Sequence, residues 1–120
     1  MIISVNCAII DSEEWGDILV YIHDNQVFEW DEGKEQINIQ KHKMSFRTAL
    51  KVFSDVNRIE FFDELHSEYE DRFITIGVID DVAITAIAMV VYTERGEVLR
   101  LISARLATKE EKEMYYNGNC

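Results

Sequence analysis

Four arginines in the second half of the chain have the type and the placement to bind phosphate. Residues 90–105 read VVYTERGEVLRLISAR, which predicts an apolar strand, a tight turn and a second apolar strand. Arg95 stands in the turn, and Arg100 and Arg105 stand on the second strand. A guanidinium stays charged and donates several hydrogen bonds from a planar fork, which suits it to phosphate or carboxylate. Arg72, at the start of a neighbouring predicted strand, completes the set.

The alternation of a strand limits which of these arginines can share a site. Positions five apart on a straight strand point to opposite faces, so Arg100 and Arg105 meet only if a bulge or the strand's end intervenes. A structural role is the alternative, in which one arginine pairs with a carboxylate such as Glu94 and another is solvated. We expect Arg100 to be the structural member. The functional members are then Arg72, Arg95 and Arg105.

Other side chains that could take part in chemistry each have a structural alternative. His42 lies between Lys41 and Lys43 at a predicted helix end. It could transfer a proton near pH 7, or it could be an exposed residue favoured by the helix dipole. Trp30 could stack on a base or belong to the core. His66 and two nearby carboxylates suggest a metal cluster, but their spacing matches no well-defined site.

The charge of the chain argues against a passive nucleic-acid binder. Its 120 residues suit one domain, and the net charge is −11. Nucleic-acid-binding domains usually carry a basic face. The acidity is uneven, because residues 1–40 hold nine of the 23 acidic residues but one of the 12 lysines and arginines. Such a segment is usually a solvated face, although it can also repel or mimic a nucleic acid.

Targeting and redox signals are weak. Cys7 and Cys120 form neither a disulfide framework nor a metal-ligand spacing. No apolar run approaches the roughly 18 residues of a membrane span, and no basic flank precedes the first apolar run. We therefore expect a soluble, reduced, cytoplasmic protein that does not associate with a membrane.

The periodicity of apolar residues predicts an α+β fold. Strands are predicted at residues 58–62, 72–79, 82–93 and 97–105, with further N-terminal strands at 1–10 and 18–22. Helices are predicted at residues 32–42, 45–53 and 109–117, with capping signals at Asp31, Ser45 and the pair Thr108 and Glu111. Short connections favour antiparallel neighbours, since parallel strands need a crossover of a dozen residues or more. The prediction is an antiparallel sheet of about four strands packed with helices.

Several separate motifs resemble the BrnT toxins of BrnT/BrnA type II toxin–antitoxin pairs. They are FEWDEGKEQINIQKHKMSF, VFSD, YEDRFITIG, VVYTERGEVLRLISARLA and TKEEKEMYY, and they occur in the family's order over residues 27–116. The resemblance implies a single domain over 1–120, with a RelE-like toxin core at 27–116 and an N-terminal extension at 1–26. It also implies a ribonuclease that needs no cofactor and halts translation. Its expected partner is a cognate BrnA-like antitoxin, which binds the toxin in a hetero-oligomer and contacts operator DNA.

The resemblance also assigns site residues through the motifs FEWD, KH, DRF, TERG and RLISAR. The predicted catalytic residues are Arg72, Glu94, Arg95, Arg105 and His42. The predicted substrate-binding residues are Trp30, Arg100, Ser103 and Lys41, and no metal ligand is predicted. His42 or Glu94 is the candidate general base. The chain departs from the family pattern at Lys43, where glycine is usual, and at Leu106, where lysine is usual.

Three functions are compatible with these residues. The first is a metal-independent endoribonuclease, in which pre-aimed arginines stabilise charge on the phosphoryl oxygens. The second is a non-catalytic module, in which the arginines bind carboxylates of an antitoxin-like partner. The third is a metal hydrolase that uses His42 or His66.

Overall fold

A computed structural model describes residues 16–81 and 84–118, which form one mixed β-sheet with three α-helices. The strands are β1 (Ile18–His23), β2 (Gln26–Asp31), β3 (Ile59–Phe62), β4 (Phe73–Asp80), β5 (Thr85–Arg95) and β6 (Val98–Leu106). Their order across the sheet is β1-β2-β6-β5-β4-β3. The predicted strand at residues 1–10 lies outside the described residues.

The α+β class is confirmed, but the prediction of about four antiparallel strands is wrong. The described sheet has six strands, and β2 runs parallel to β6. All other neighbouring strands are antiparallel. The parallel pair joins residues as far apart in sequence as Glu29 and Arg100, which are separated by 71 positions. The rule of short connections applies only to strands that follow each other closely, so it gave no signal of this contact.

A tight turn adds β1 to the edge of the sheet. Asp24 and Asn25 connect β1 to β2, and both have a positive φ, of 52° and 66°. Two-residue hairpins favour turns with positive φ at both positions, and aspartate and asparagine tolerate that conformation. Residues 18–31 therefore belong to the same sheet as the arginine hairpin.

The helices follow the predicted capping signals. They are α1 (Glu32–His42), α2 (Phe46–Ala49), which continues as a 3₁₀ helix (Leu50–Ser54), and α3 (Lys109–Gly118), and a further 3₁₀ helix spans Glu64–His66. Asp31 accepts a hydrogen bond from the Lys34 N–H at 2.9 Å, and Ser45 accepts one from the Thr48 N–H at 3.1 Å. None of the described helices is long and apolar enough to cross a membrane.

The helices cover the two faces of the sheet at different places. On one face, here called the α2 face, Phe46 and Leu50 pack against Phe28 and Val90 of the sheet. On the other face, Tyr115 of α3 packs with a smaller apolar cluster toward the β3 end. Burial of one large apolar side chain contributes about 1.5–3 kcal/mol to folding, so both clusters fix the helices on the sheet.

One buried amide attaches α1 to the edge of β6. β2 pairs with β6 only from Val27 to Glu29, and beyond that point α1 lies beside β6. The Asn38 side chain donates to the Ala104 carbonyl at 2.8 Å and accepts from the Ala104 N–H at 3.0 Å. It thus replaces a neighbouring strand for that residue, because it satisfies both backbone groups. The contact sets the distance between α1 and the RLISAR segment.

Candidate functional site

A β-bulge places three of the predicted site residues on one face of the sheet. The β5–β6 register pairs Tyr92 with Leu101 but Val91 with Ser103, so Ile102 is an extra residue on β6. Such a residue changes the alternation of the strand beyond it. Directly opposed residues of two strands point to the same face. Arg100, Ser103 and Arg105 therefore all lie on the face opposite α2, which we call the groove face.

Two adjacent clefts on this face share Lys34 of α1 and Ile102 of β6 in their linings. We call the two clefts together the basic groove. The arginine end is lined by Asp31, Glu70, Arg72, Thr93, Arg95, Arg100 and Leu101. The histidine end is lined by Ile37, Asn38, Lys41, His42 and Ser103. Six of the nine predicted site residues thus lie along one groove.

The groove is basic although the protein is acidic. Its lining contains five lysines and arginines against two carboxylates, Asp31 and Glu70, while the whole chain carries a net charge of −11. A cleft lined mainly by positive charges focuses an attractive field on anions at one place on the surface. The groove is consequently suited to an anionic ligand.

The three arginines of the groove differ in how firmly they are held. Arg100 is 13% exposed in its side chain and pairs with Glu29 at 3.3 Å. Arg95 is 48% exposed and contacts both carboxylate oxygens of Glu70 at 3.3 Å. The Arg72 guanidinium has no ion pair or side-chain hydrogen bond with any residue that the structure describes. An exposed ion pair contributes little, so Arg95 can exchange Glu70 for a ligand at small cost.

Arg105 is on the groove face but outside the groove lining. Its guanidinium donates to both carboxylate oxygens of Glu111, at 2.8 and 2.9 Å. Burial would raise the pKa of Glu111, but the hydrogen bonds from Arg105 and the Thr108 N–H outweigh it and lower that pKa. Glu111 also forms the predicted capping box with Thr108, which is confirmed. In this structure, Arg105 ties α3 to the end of β6.

Glu94 and Trp30 lie on the α2 face. Glu94 pairs with Leu99 on the face opposite Arg95 and lines a separate cleft with Tyr92. Burial, and then the carboxylates of Glu60 and Glu94, raise the pKa of Tyr92 to about 12. Trp30 is 2% exposed, so its indole ring is part of the core. The structure does not bring these two residues together with the arginines.

Trp30 and a buried glutamate hold the start of α1. The Trp30 Nε1–H donates to Glu35 Oε1 at 3.1 Å, and the Phe46 N–H donates to Glu35 Oε2 at 2.8 Å. A buried carboxylate needs such partners, because an unpaired charge in the interior is costly. This network joins β2, α1 and α2 behind the groove.

Sequence patterns did not mark several residues of the site. Asp31 was predicted as a helix cap, and its place in the groove lining was not. Lys34, Asn38 and Thr93 were not singled out at all. A polar residue on the buried side of a predicted helix could have indicated Asn38. Thr93, two residues before Arg95 on the same strand, could have been found from strand alternation.

The described residues contain no group of three or more histidine, cysteine, aspartate or glutamate side chains arranged to hold a metal ion. The His66 side chain, which had suggested such a cluster, contacts Asp63 at 3.0 Å.

A comparison with protein families decides the affiliation of the chain. The family described as "Ribonuclease toxin, BrnT, of type II toxin-antitoxin system" matches residues 30–111, about two thirds of the sequence. The chain belongs to the BrnT family. The matched region includes the whole basic groove and the Arg105–Glu111 pair, whereas β1 precedes it. A comparison with curated proteins gave no match.

Proposed function

We propose that the basic groove binds RNA and cleaves its backbone without a metal ion. The observation that carries this proposal is the gathering of Arg72, Arg95, Lys41 and His42 along one groove of an otherwise acidic protein. Membership of a ribonuclease toxin family supports the same conclusion. Phosphate contacts from lysine and arginine supply most of the sequence-independent affinity for nucleic acids.

The chemistry follows from the side chains that line the groove. The ribose 2′-oxygen attacks the adjacent phosphorus, so the O2′–P bond forms and the P–O5′ bond breaks. Arg72 and Arg95 stabilise the charge that builds on the phosphoryl oxygens. The proton of the 2′-hydroxyl passes to a base, and the leaving 5′-oxygen takes up a proton. His42 is suited to one of these transfers, because an imidazole changes protonation near pH 7.

We assign other roles to the remaining predicted site residues. Arg100 fixes the floor of the groove through Glu29, and Arg105 orients α3 through Glu111. Ser103 and Lys41 contact the RNA backbone at the histidine end. Trp30 supports α1 from the core. Glu94 is separated from the phosphate by the sheet, which favours His42 over Glu94 for one of the two proton transfers.

We further infer that cleavage inhibits translation in the cytoplasm and that a BrnA-like antitoxin neutralises the protein. The description of the family as part of a type II toxin–antitoxin system supports an antitoxin partner. In such a complex, operator DNA is contacted by the antitoxin. A RelE-like arrangement of the core, with the extension of residues 1–26 added to it, belongs to the same proposal. Co-purification with the product of an adjacent gene tests the partnership.

The enzymatic proposal is tested on purified protein with total RNA in excess chelator. Arg72→Ala and Arg95→Ala should each lower the cleavage rate about 100- to 1,000-fold, the usual effect of removing one transition-state contact. Glu94→Gln is the matched control, because it changes a charge next to Arg95 on the opposite face, and it should leave the rate unchanged. Loss of cleavage with the chelator would exclude the metal-independent mechanism. If Glu94→Gln and Arg95→Ala lowered the cleavage rate equally, the groove would be excluded as the site of cleavage.

A further inference from the structure

Two buried polar atoms at the arginine end of the groove have no hydrogen-bond partner among the described residues. They are Asp31 Oδ2 and Thr93 Oγ1, and both residues are 1% exposed. Buried polar groups are almost always paired, and each exception calls for an explanation. Both residues line the cleft that also holds Arg72, Arg95 and Arg100.

The two atoms have different positions and different hydrogen-bonding capacities. Asp31 ends β2, and its other oxygen, Oδ1, already caps α1 through the Lys34 N–H. Oδ2 of an ionised carboxylate can only accept a hydrogen bond. Thr93 stands opposite Arg100 in the β5–β6 register, and its hydroxyl can both donate and accept. The cleft that holds the arginines therefore offers one oxygen that can only accept a hydrogen bond, Asp31 Oδ2, and one hydroxyl that can donate or accept, on Thr93.

The phosphodiester group of a nucleic acid does not satisfy all of these side chains by itself. It can accept hydrogen bonds from the arginines, but it carries no hydrogen-bond donor for Asp31 Oδ2 and is repelled by the Asp31 carboxylate. A better ligand carries a hydroxyl donor next to its anionic group. The cleft has a volume of about 70 Å³, which exceeds the roughly 10–15 Å³ that one water-sized group needs. It therefore has room for a hydroxyl group.

We propose that Asp31 and Thr93 form a ribose subsite that recognises the 2′-hydroxyl beside the phosphate bound by Arg72 and Arg95. Asp31 Oδ2 accepts the hydrogen bond of the 2′-hydroxyl, and Thr93 Oγ1 donates to the same ribose. This inference rests on the proposed function and adds to it the group that distinguishes RNA from DNA. A 2′-hydroxyl, which is both donor and acceptor, is the only chemical difference that a protein can use at that position.

The variants for the test separate ligand binding from folding. Asp31→Ser keeps an oxygen for the helix cap, since serine and aspartate are equivalent caps, but removes the free oxygen. Thr93→Val removes the hydroxyl and keeps the shape of the side chain. Thr93→Ser, the control, keeps the hydroxyl. Thr93→Val should raise the melting temperature, because it removes an unpaired buried polar group.

The experiment measures the affinity of each variant for a mixture of ribonucleoside 3′-monophosphates and for the matching 2′-deoxy compounds. Neither can be cleaved, and both carry the phosphate. Wild type should bind the ribose compounds about tenfold more tightly, as expected for a hydrogen bond to a charged group. Asp31→Ser should reduce the ratio to near one, Thr93→Val should reduce it in a protein of higher melting temperature, and Thr93→Ser should retain it.

The outcomes distinguish the two proposals. If wild type cleaves RNA but Asp31→Ser and Thr93→Val retain its preference for ribose, the ribose subsite is wrong and the proposed function stands. If wild type cleaves RNA and shows no preference, the subsite is wrong as well. If wild type neither cleaves RNA nor binds either compound, both proposals are wrong. A structural role alone for Thr93 would predict a changed melting temperature with an unchanged affinity ratio.

Discussion

Arg100 and Arg105 lie on the same face of β6 although five positions separate them. The bulge at Ile102 supplies the extra residue that reverses the alternation between them. The two arginines still do not share a ligand, because each is paired with its own carboxylate, Glu29 or Glu111. The bulge thus gives the groove face two fixed ion pairs, and it leaves Arg72 and Arg95 as the arginines that can reach an anion.

Loss of Arg100 should therefore destabilise the fold. Arg100→Met leaves the Glu29 carboxylate, which is 20% exposed in its side chain, without its partner. Removal of one member of a buried pair costs about 3–5 kcal/mol, and we expect about 2–3 kcal/mol here because the pair is partly exposed. The double variant Glu29→Met/Arg100→Met should recover most of this loss. Urea unfolding of wild type, Arg100→Met and the double variant measures both effects. A double variant that is less stable than Arg100→Met would contradict the explanation.

Substitution of Asn38 should be among the most destabilising changes in α1. Asn38→Ala removes both hydrogen bonds to Ala104 and the bond from Nδ2 to the Met44 carbonyl at 2.9 Å. Each unsatisfied buried group costs about 1–3 kcal/mol, so we expect a loss of about 3 kcal/mol in the free energy of unfolding. Gln36→Ala, on the exposed side of the same helix, should change stability by less than about 0.5 kcal/mol. Equal effects of the two variants in urea unfolding would show that α1 is not anchored through Asn38.

Lys43 should be replaceable by glycine with a gain in stability. It follows α1 in the left-handed conformation, with φ of 59° and ψ of 32°, and its N–H donates to the Ile39 carbonyl. A residue with a Cβ atom is strained there by about 1 kcal/mol, and glycine is not. Lys43→Gly should raise the free energy of unfolding by about that amount, and Lys43→Ala should not. Thermal unfolding of the two variants distinguishes relief of backbone strain from loss of the lysine charge.

Local signals predicted the helices well. The bounds of α1 match the predicted residues 32–42, because Asp31 caps its start and the composition of the run favours helix. The capping box of Thr108 and Glu111 located α3 for the same reason. These features depend on residues a few positions apart, so the sequence contains the information directly.

Contacts between distant residues were not predictable in this way. The parallel β2–β6 pair and the Asn38–Ala104 bonds join segments that are 66 or more positions apart. The bulge at Ile102 has no glycine to mark it. At the site, strand alternation alone would have separated Glu94 from Arg95, since adjacent residues point to opposite faces. The family motifs placed both in one functional group because they record sequence order and carry no information about the sides of the sheet.

The stability of the protein should decrease in acid partly through Asp55. Its Oδ2 accepts hydrogen bonds from Tyr115 Oη at 2.6 Å and from the Val78 N–H at 2.9 Å, and its Oδ1 accepts one from the Asn57 N–H at 2.9 Å. Burial would raise the pKa of Asp55, but these hydrogen bonds together lower it below the model-compound value of 3.8. The ionised carboxylate therefore joins the end of the 3₁₀ helix Leu50–Ser54 to β4 and α3.

The sign of the pH dependence follows from that lowered pKa. Above pH 3.8 the carboxylate is ionised in both the folded and unfolded states, and its contribution is fully present. As the pH falls below 3.8, the unfolded state binds the proton first. The contribution of Asp55 to the free energy of unfolding therefore decreases until the pH reaches the lower pKa of the folded state. Asp55→Asn should flatten the dependence of the urea midpoint on pH below about 4. Some dependence should remain, because Glu111 also has a lowered pKa. Tyr115→Phe, which removes one of the hydrogen bonds, should flatten it less, and a steeper slope in Asp55→Asn than in wild type would refute the assignment.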